Sequence, residues 1–288
     1  MTRTVYVNGQ YLPWGQAAVH AEDRGFQFGD AVYEVCEVRD GHLIDETRHM
    51  DRLERSLGEL KIPLPMARTA WARVMRETIR RNRVRDGSVY LQVSRGARPR
   101  DFLISDAVDM VPTVVCVARS ANRAKLEAAA IVGIGVRSVP DMRWGRCDIK
   151  TVMLLPATMA KEQAKEIGAK EAWLFDEKGF VTEGASSNAW IVDSAGKLVT
   201  RPASTEILRG VTRTTLIDLL KRDGIELVER AFTVAEAKAA REAFTTSATA
   251  LVTPVVRIDD SAIGNGAPGM LTLKLRSHFH EVAEAAAL

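Results

Sequence analysis

The sequence predicts a two-domain α+β / α/β protein, and three observations carry that prediction. Residues 1–118 read as short antiparallel strands around two amphipathic helices. Residues 131–288 alternate strands with helices. Between them, residues 119–130 shift to small and basic types (Arg-Ser-Ala-Asn-Arg-Ala-Lys), as an interdomain linker would.

In the first part, Val5-Tyr6-Val7 and Gln10-Tyr11-Leu12 flank Asn8-Gly9, a pair suited to the positive φ angles of a two-residue hairpin turn. The run 31–39 is rich in Val, Tyr and Cys, and Asp40-Gly41 turns it into His42-Leu43-Ile44. Met50, Leu53, Leu57 and Leu60 recur at spacings of three and four, which predicts a helix over 46–61 that Pro63 ends. A second helix over 67–82 buries Trp71, Val74, Met75 and Ile79, and strands follow at 88–95 and 111–118. In the second part, a strand at 131–139 leads through a loop over 140–147 to a helix at 156–167, stopped by Gly168. Strands at 171–175 and 180–182 form a hairpin about Glu177-Lys178-Gly179, with another strand at 189–192. A helix over 212–222 closes with Lys221, Arg222 and Gly224, cations suiting the negative end of a helix. Thr233 and Glu236 have capping-box spacing.

Composition narrows the function classes. With 46% hydrophobic and 27% charged residues, the 288-residue chain reads as an ordinary soluble globular protein. Its net charge of +3 is mild, and Arg76, Arg80, Arg81, Arg83 and Arg85 lie on a predicted helix with no interleaved aromatics. A solvated helix face explains them better than nucleic acid does. No apolar run approaches the ~18–20 residues of a membrane span. The chain enters a strand pattern at once, so no signal peptide is expected. Cys36, Cys116 and Cys147 are odd in number and scattered, which fits a reducing cytoplasm. His278 and His280 lack a third ligand nearby, so no metal is expected.

Two short segments carry chemistry. Asp148-Ile149-Lys150-Thr151 ends a polar, turn-rich stretch, and Val181-Thr182-Glu183-Gly184-Ala185-Ser186-Ser187-Asn188 follows about thirty residues later. A lysine amine that forms a Schiff base with an aldehyde, and a carboxylate that keeps a pyridinium nitrogen protonated, are what pyridoxal 5'-phosphate chemistry requires. A lone lysine among 40 basic residues is more often a solvated charge, so the surroundings decide. Ile207-Leu208-Arg209-Gly210-Val211-Thr212 runs directly into a helix, placing free amides and a hydroxyl at its positive end; an anion site and a plain turn into a helix both fit. Arg52 borders the apolar stripe of the first helix, in one row with His49 and Ser56; a bound anion and an internal salt bridge explain it equally well. Thr245-Thr246-Ser247-Ala248 offers a hydroxyl and amides, or a hydrogen-bonded turn.

Taken together, these residues resemble a known family. Arg24-Gly25-Phe26-Gln27-Phe28-Gly29-Asp30-Ala31-Val32-Tyr33-Glu34-Val35 is similar to the N-terminal signature of the fold type IV pyridoxal phosphate-dependent aminotransferases. His49-x-x-Arg52-Leu53, Asp148-Ile149-Lys150-Thr151, Glu183-Gly184-x-Ser186-Ser187-Asn188 and Leu208-x-Gly210-Val211-Thr212-Arg213 follow in the family's order, and the likeness runs from Tyr6 to about Asp259. Within the family, Arg95-Gly96-Ala97-x-x-Arg100 and the wording around Arg24 most resemble the D-amino acid aminotransferases. The resemblance implies a smaller N-terminal α+β domain and a larger C-terminal cofactor-binding domain with a mixed, barrel-like sheet and helices. It implies that Lys150 carries the cofactor and moves the proton, and that Glu183 contacts the pyridine nitrogen. Arg52, Gly210, Val211, Thr212, Ser247 and the Ala248 amide would hold the phosphate, with Leu208 against the ring face. Tyr33 would line the substrate side, and Arg100 would receive the α-carboxylate, reaching across a homodimer interface. The expected reaction passes the amino group of a D-amino acid such as D-alanine to a 2-oxo acid such as 2-oxoglutarate or pyruvate. Two departures stand out: Phe102 occupies the place where many D-amino acid aminotransferases have a histidine, and Ala248 stands where a threonine is frequent. Branched-chain L-amino acid aminotransferase and aminodeoxychorismate lyase are the alternatives on the same fold. A non-catalytic cofactor carrier or a basic nucleic-acid binder would be a different class.

Overall fold

The computed structural model describes residues 3–104 and 110–287. The chain forms two compact units.

The first unit comprises Met1–Asn122, Ile149–Met153 and Glu284–Leu288. Its elements in chain order are β1 (Thr4–Val7), β2 (Gln10–Pro13), α1 (Arg24–Phe28), β3 (Ala31–Arg39), β4 (His42–Ile44), α2 (Glu46–Glu59), α3 (Arg68–Asn82), β5 (Gly87–Ser94) and β6 (Thr113–Ser120). The strands, joined by a C-terminal strand at Ala285–Ala287, make a seven-stranded sheet. Its order is C-terminal strand, β4, β3, β5, β6, β1, β2, with every neighbour antiparallel. The predicted hairpin is present, with φ of 45° at Asn8 and 92° at Gly9, the conformation Asn-Gly tolerates best. Alternation along β3 sends Val32, Glu34, Cys36 and Val38 to the buried face. That face packs on Met50, Leu53 and Leu57 of α2 and on Trp71, Val74, Met75 and Ile79 of α3, the predicted apolar stripes. Each such side chain removed from water contributes on the order of 1.5–3 kcal/mol. Helix α2 stops at Glu59, short of Pro63, because Lys61 turns left-handed at φ 53°.

The second unit comprises Arg123–Asp148 and Leu154–Ala283. It contains α4 (Arg123–Val132), β7 (Ile134–Pro140), α5 (Leu155–Glu166), β8 (Glu171–Phe175), β9 (Val181–Gly184), β10 (Asn188–Val192), β11 (Leu198–Thr200), α6 (Val211–Arg222), β12 (Leu227–Glu229), α7 (Val234–Lys238), β13 (Glu242–Ser247), β14 (Leu251–Ile258), β15 (Ser261–Ala262) and α8 (Met270–His278). The nine-stranded sheet has the order β12-β11-β10-β13-β14-β7-β8-β9, with β15 paired to β14. It is mixed: β11–β12, β14–β7 and β7–β8 are parallel, and the remaining pairs are antiparallel. Strand β10 is buried on both faces. Trp190 and Val192, with Phe244 of β13, pack on Leu216, Leu219, Leu220 and Leu275 from α6 and α8. Ala189, Ile191 and Ala243 face Trp173, Phe232 and Ala237 instead. Thr233 caps α7 with the predicted reciprocal bonds to Glu236.

Two expectations change. Residues 119–130, expected as a linker, hold the end of β6 and most of α4. The run Arg-Ala-Lys-Leu-Glu-Ala-Ala-Ala is strongly helix-forming, and the helix continues to Val132 until Gly133 (φ 78°) stops it. The next strand therefore starts at Ile134 rather than 131. Lys150, expected within a C-terminal domain of 131–288, groups with the first unit. The reason lies in its backbone. Tyr33 N–H donates to the Lys150 carbonyl at 3.0 Å, Val152 N–H donates to the Ala31 carbonyl at 3.1 Å, and Val32 bridges Thr151. Ile149 is buried in the first unit's core.

Candidate active site

Of the residues expected to act, Tyr33, Arg52, Arg100 and Lys150 belong to the first unit. Glu183, Leu208, Gly210, Val211, Thr212, Ser247 and Ala248 belong to the second.

In the first unit, the segment paired alongside β3 sets Lys150 beside Tyr33. Lys150 Nζ lies 4.2 Å from the Tyr33 ring centroid and has no carboxylate partner among the described residues. An amine held against a ring face rather than in an ion pair keeps its nitrogen available for reaction. Tyr33 stacks on Tyr90 at 5.6 Å and 29°. The Tyr90 hydroxyl donates to Gln92 Oε1 at 2.6 Å, and burial together with the neighbouring Tyr33 pushes its pKa up to about 12.

Arg52 realises the internal salt bridge. Its Nε and Nη2 donate to the two carboxylate oxygens of Glu34 at 2.7 and 2.8 Å, and His49 Nδ1 lies 2.7 Å from Glu34 Oε2. Burial alone would raise the Glu34 carboxyl, but the guanidinium and the His49 hydrogen bond outweigh it and hold the pKa at about 2. Glu34 and His49 thus fix the direction in which Arg52 points. Residue type and spacing single out Arg52 but not Glu34, whose partner lies on the helix after the next strand. Glu34→Gln keeps the volume and removes a fully buried charge that two Arg52 hydrogen bonds and His49 are arranged around. It is expected to cost about 3–5 kcal/mol, read as a lower midpoint in chemical denaturation. Because the folded carboxyl sits below its ordinary 4.5, its stabilisation is present above pH 4.5 and fades as the pH falls toward 2. Acid unfolding of Glu34→Gln should lack that component.

In the second unit, Glu183 lies near the end of β9 and is buried, at 4% exposure. Leu208 N–H donates to both its oxygens at 3.1 Å, Asn188 Nδ2 donates to Oε2 at 2.9 Å, and Arg143 Nη1 donates to Oε1 at 2.5 Å. Such a set of donors matches an ionised carboxylate, which only accepts. Arg143 also grips Asp141 through Nε and Nη2 at 2.9 and 2.8 Å, so its charge is balanced on both sides. Against the effect of burial, those hydrogen bonds and Thr182 hold Asp141 below the usual carboxylate range. Arg143 and Asp141 are absent from the residues expected on sequence grounds; the Asp-x-Arg pair just upstream of Lys150 was the available signal.

Asn188 Nδ2 also donates to the Leu208 carbonyl at 2.9 Å, tying that loop to the start of β10. Gly210 follows as the N-cap of α6, with no side chain capping the helix. A Cβ at Gly210 would fall on Asn188 Oδ1, so the close approach requires glycine. The first amides of α6, at Val211 and Thr212, have no intrahelical acceptors, and the Thr212 side chain is buried beside them. Asn188 stands opposite Thr246 in the β10–β13 pair, which brings Ser247 and Ala248 to the same end of the sheet. The donors at this end suit a phosphate dianion, and Glu183 suits a protonated ring nitrogen, so the second unit fits the two ends of pyridoxal phosphate. Leu208 is half-buried, with its N–H turned onto Glu183.

Comparison with known proteins agrees with this chemistry. The family model for Amino-transferase class IV matches residues 31–258. The chain belongs to the class IV amino-transferases. The class IV chain is therefore an aminotransferase whose cofactor is pyridoxal 5'-phosphate, on the two-unit fold type IV architecture. It is 38% identical over 273 residues to the D-alanine aminotransferase of Bacillus licheniformis, covering 95% of this chain and 94% of that protein. It is 36% identical to the D-alanine aminotransferase of Staphylococcus haemolyticus, covering 98% of each. Among solved structures, the T.th. branched-chain amino acid aminotransferase complexed with N-(5'-phosphopyridoxyl)-L-glutamate superposes with a TM-score of 0.86. It is 25% identical, and the match covers 98% of this chain and 94% of that one. The Escherichia coli branched-chain enzyme gives a TM-score of 0.86 at 22% identity, over 98% and 95% of the two chains, which speaks to the fold alone.

Proposed function

We propose that this aminotransferase takes the amino group from a D-amino acid, D-alanine foremost, and delivers it to a 2-oxo acid such as 2-oxoglutarate in a ping-pong cycle. The observation that carries this reading is the 38% identity to a D-alanine aminotransferase over 95% of the chain. When bound, pyridoxal phosphate supplies the aldehyde that takes up the amine and the ring that accepts the electron pair left as Cα–H breaks.

The chain's own residues do the rest. Lys150 Nζ removes the proton from Cα of the amino donor and, in the second half-reaction, returns one to C2 of the 2-oxo acid. Glu183 accepts the N–H of a protonated ring nitrogen, and Arg143, Asn188 and Leu208 N–H keep its carboxylate oriented. The Val211 and Thr212 amides, the Thr212 hydroxyl, Ser247, the Ala248 amide and Arg52 bind phosphate. Leu208 packs along the ring and Tyr33 lines the substrate side. Arg100 receives the α-carboxylate. Lys150 acts from one side only, so the wall that receives the carboxylate decides which enantiomer presents its Cα–H.

A panel of D- and L-amino acids with 2-oxoglutarate tests the assignment. D-alanine should turn over at least about a hundredfold faster than L-leucine, as differential binding of a charged group allows. Faster turnover of L-leucine would replace this reading with branched-chain L-amino acid transamination, the activity in the name of the T.th. enzyme that is 25% identical to this chain. A homodimer in the cytoplasm completes the proposal. The resemblance implies an Arg100 that would reach across a dimer interface, which supports the first part, and three free cysteines support the second. No described helix is long and apolar enough to cross a membrane.

A further inference from the structure

We propose that Phe28 and Phe102 position Arg100 as the sole cationic receptor of the substrate's α-carboxylate, in a grip that does not titrate between about pH 5.5 and 8. The inference rests on the carboxylate-binding role given to Arg100 above and adds how this chain achieves it.

The support begins at Asp30, which accepts from Arg24 Nε at 2.8 Å and from Arg95 Nε and Nη2 at 2.7 and 3.0 Å. Arg24 is buried, and its Nη1 also donates to the Asp101 carbonyl at 2.6 Å, which pins the backbone between Arg100 and Phe102. Leu103 N–H donates to Asp101 Oδ1 at 3.0 Å, turning that carboxylate into its own loop. Arg24 Cζ lies 4.5 Å from the Phe28 ring centroid, and Arg100 Cζ lies 4.6 Å from the same centroid. The Phe102 ring meets Phe28 edge-on at 5.5 Å and 65°, and its centroid is 5.9 Å from Arg100 Cζ.

Arg100 is therefore held through two ring faces while its guanidinium has no carboxylate partner among the described residues. Stacking occupies the face of a guanidinium and leaves its N–H edge for a planar bidentate acceptor, such as a carboxylate. Phe102 is 79% exposed, so packing in the unit's core does not explain its place.

Among the described residues, the charged groups on the elements around this cluster are Glu22, Asp23, Arg24, Asp30, Arg95, Arg98 and Asp101. Arg95 and Arg24 outweigh burial and hold Asp30 below the usual carboxylate range, so it stays ionised across the window. A histidine at position 102 would add a group that titrates near 6.5, and phenylalanine removes it.

The test uses the cofactor-loaded enzyme and two readouts. One is KM and kcat for D-alanine. The other is the calorimetric Kd of 2-oxoglutarate, which binds the aldehyde form without turnover. For Phe102→Ala, KM and Kd should each rise roughly three- to fivefold at nearly constant kcat, the size of an exposed cation–π contact. Phe102→Tyr should restore both, because the ring face is kept. The wild-type Kd should be flat from pH 5.5 to 8, whereas that of Phe102→His should tighten as the pH falls below about 6.5. Unchanged KM and Kd in Phe102→Ala alongside a large rise in Arg100→Ala would overturn the aromatic support. No change in Arg100→Ala would overturn the receptor itself. Absence of D-alanine turnover in the wild type would instead strike the proposed function, and the 2-oxoglutarate Kd series would still decide the present inference.

Discussion

Lys150→Ala should lower turnover of D-alanine with 2-oxoglutarate by roughly four orders of magnitude, the upper end of what a positioned proton-transfer group supplies. On the proposed assignment the loss falls on kcat, because the amine would move a proton in the chemical step while Arg100 and the phosphate donors would still bind their groups. The fold should survive. The 149–152 segment is held by backbone hydrogen bonds to Ala31 and Tyr33 and by the buried Ile149, none of which needs the lysine side chain. A steady-state assay beside a thermal melt separates the two effects. A variant within tenfold of the wild-type rate would mean that another base carries the proton.

Glu183→Gln should lower kcat roughly a hundredfold while cofactor binding and the melting temperature change little. Glutamine has the same length and still accepts a hydrogen bond from Leu208 N–H, so the loop from Leu208 to Gly210 keeps its place. On the proposed assignment it would lose the negative charge that favours a protonated ring nitrogen, and with it the ring's capacity to accept electrons. Arg143 is not stranded by the change, because Asp141 continues to pair with it at 2.8 Å. Measuring kcat and cofactor affinity separately decides the point. An unchanged kcat would show that the carboxylate charge does not serve the chemistry.

Much of the two-unit fold was legible from residue patterns, because those patterns act over a few residues. Asn8-Gly9 fixed a hairpin, the leucine spacing fixed α2, and Thr233 with Glu236 fixed the start of α7. The 119–130 segment reads as a linker yet folds as a helix, because small and basic residues are as compatible with a short exposed helix as with a connection. Among the site residues, Lys150, Glu183 and the 208–212 turn stood out by their own chemistry. Arg52 and His49 stood out as well, but their shared partner Glu34 did not, since it lies on a strand that only packing brings to their helix. Arg143 escaped for the same reason: its partner Glu183 lies 40 residues on, with α5 and β8 between.

The sequence by itself determined the chemistry this chain offers: an amine, a buried-strand carboxylate and a glycine-led helix start, each set by residue type and local spacing. The tertiary structure alone decided who holds them. It bound the Lys150 segment to β3 in the first unit, turned Arg143 and Asn188 onto Glu183, and laid Arg100 on the ring of Phe28. The physical reason is one of range. Turns, caps and helical stripes are short-range preferences readable along the chain, whereas ion pairs, strand register and ring stacking join residues that sequence separates and folding brings within a few ångströms.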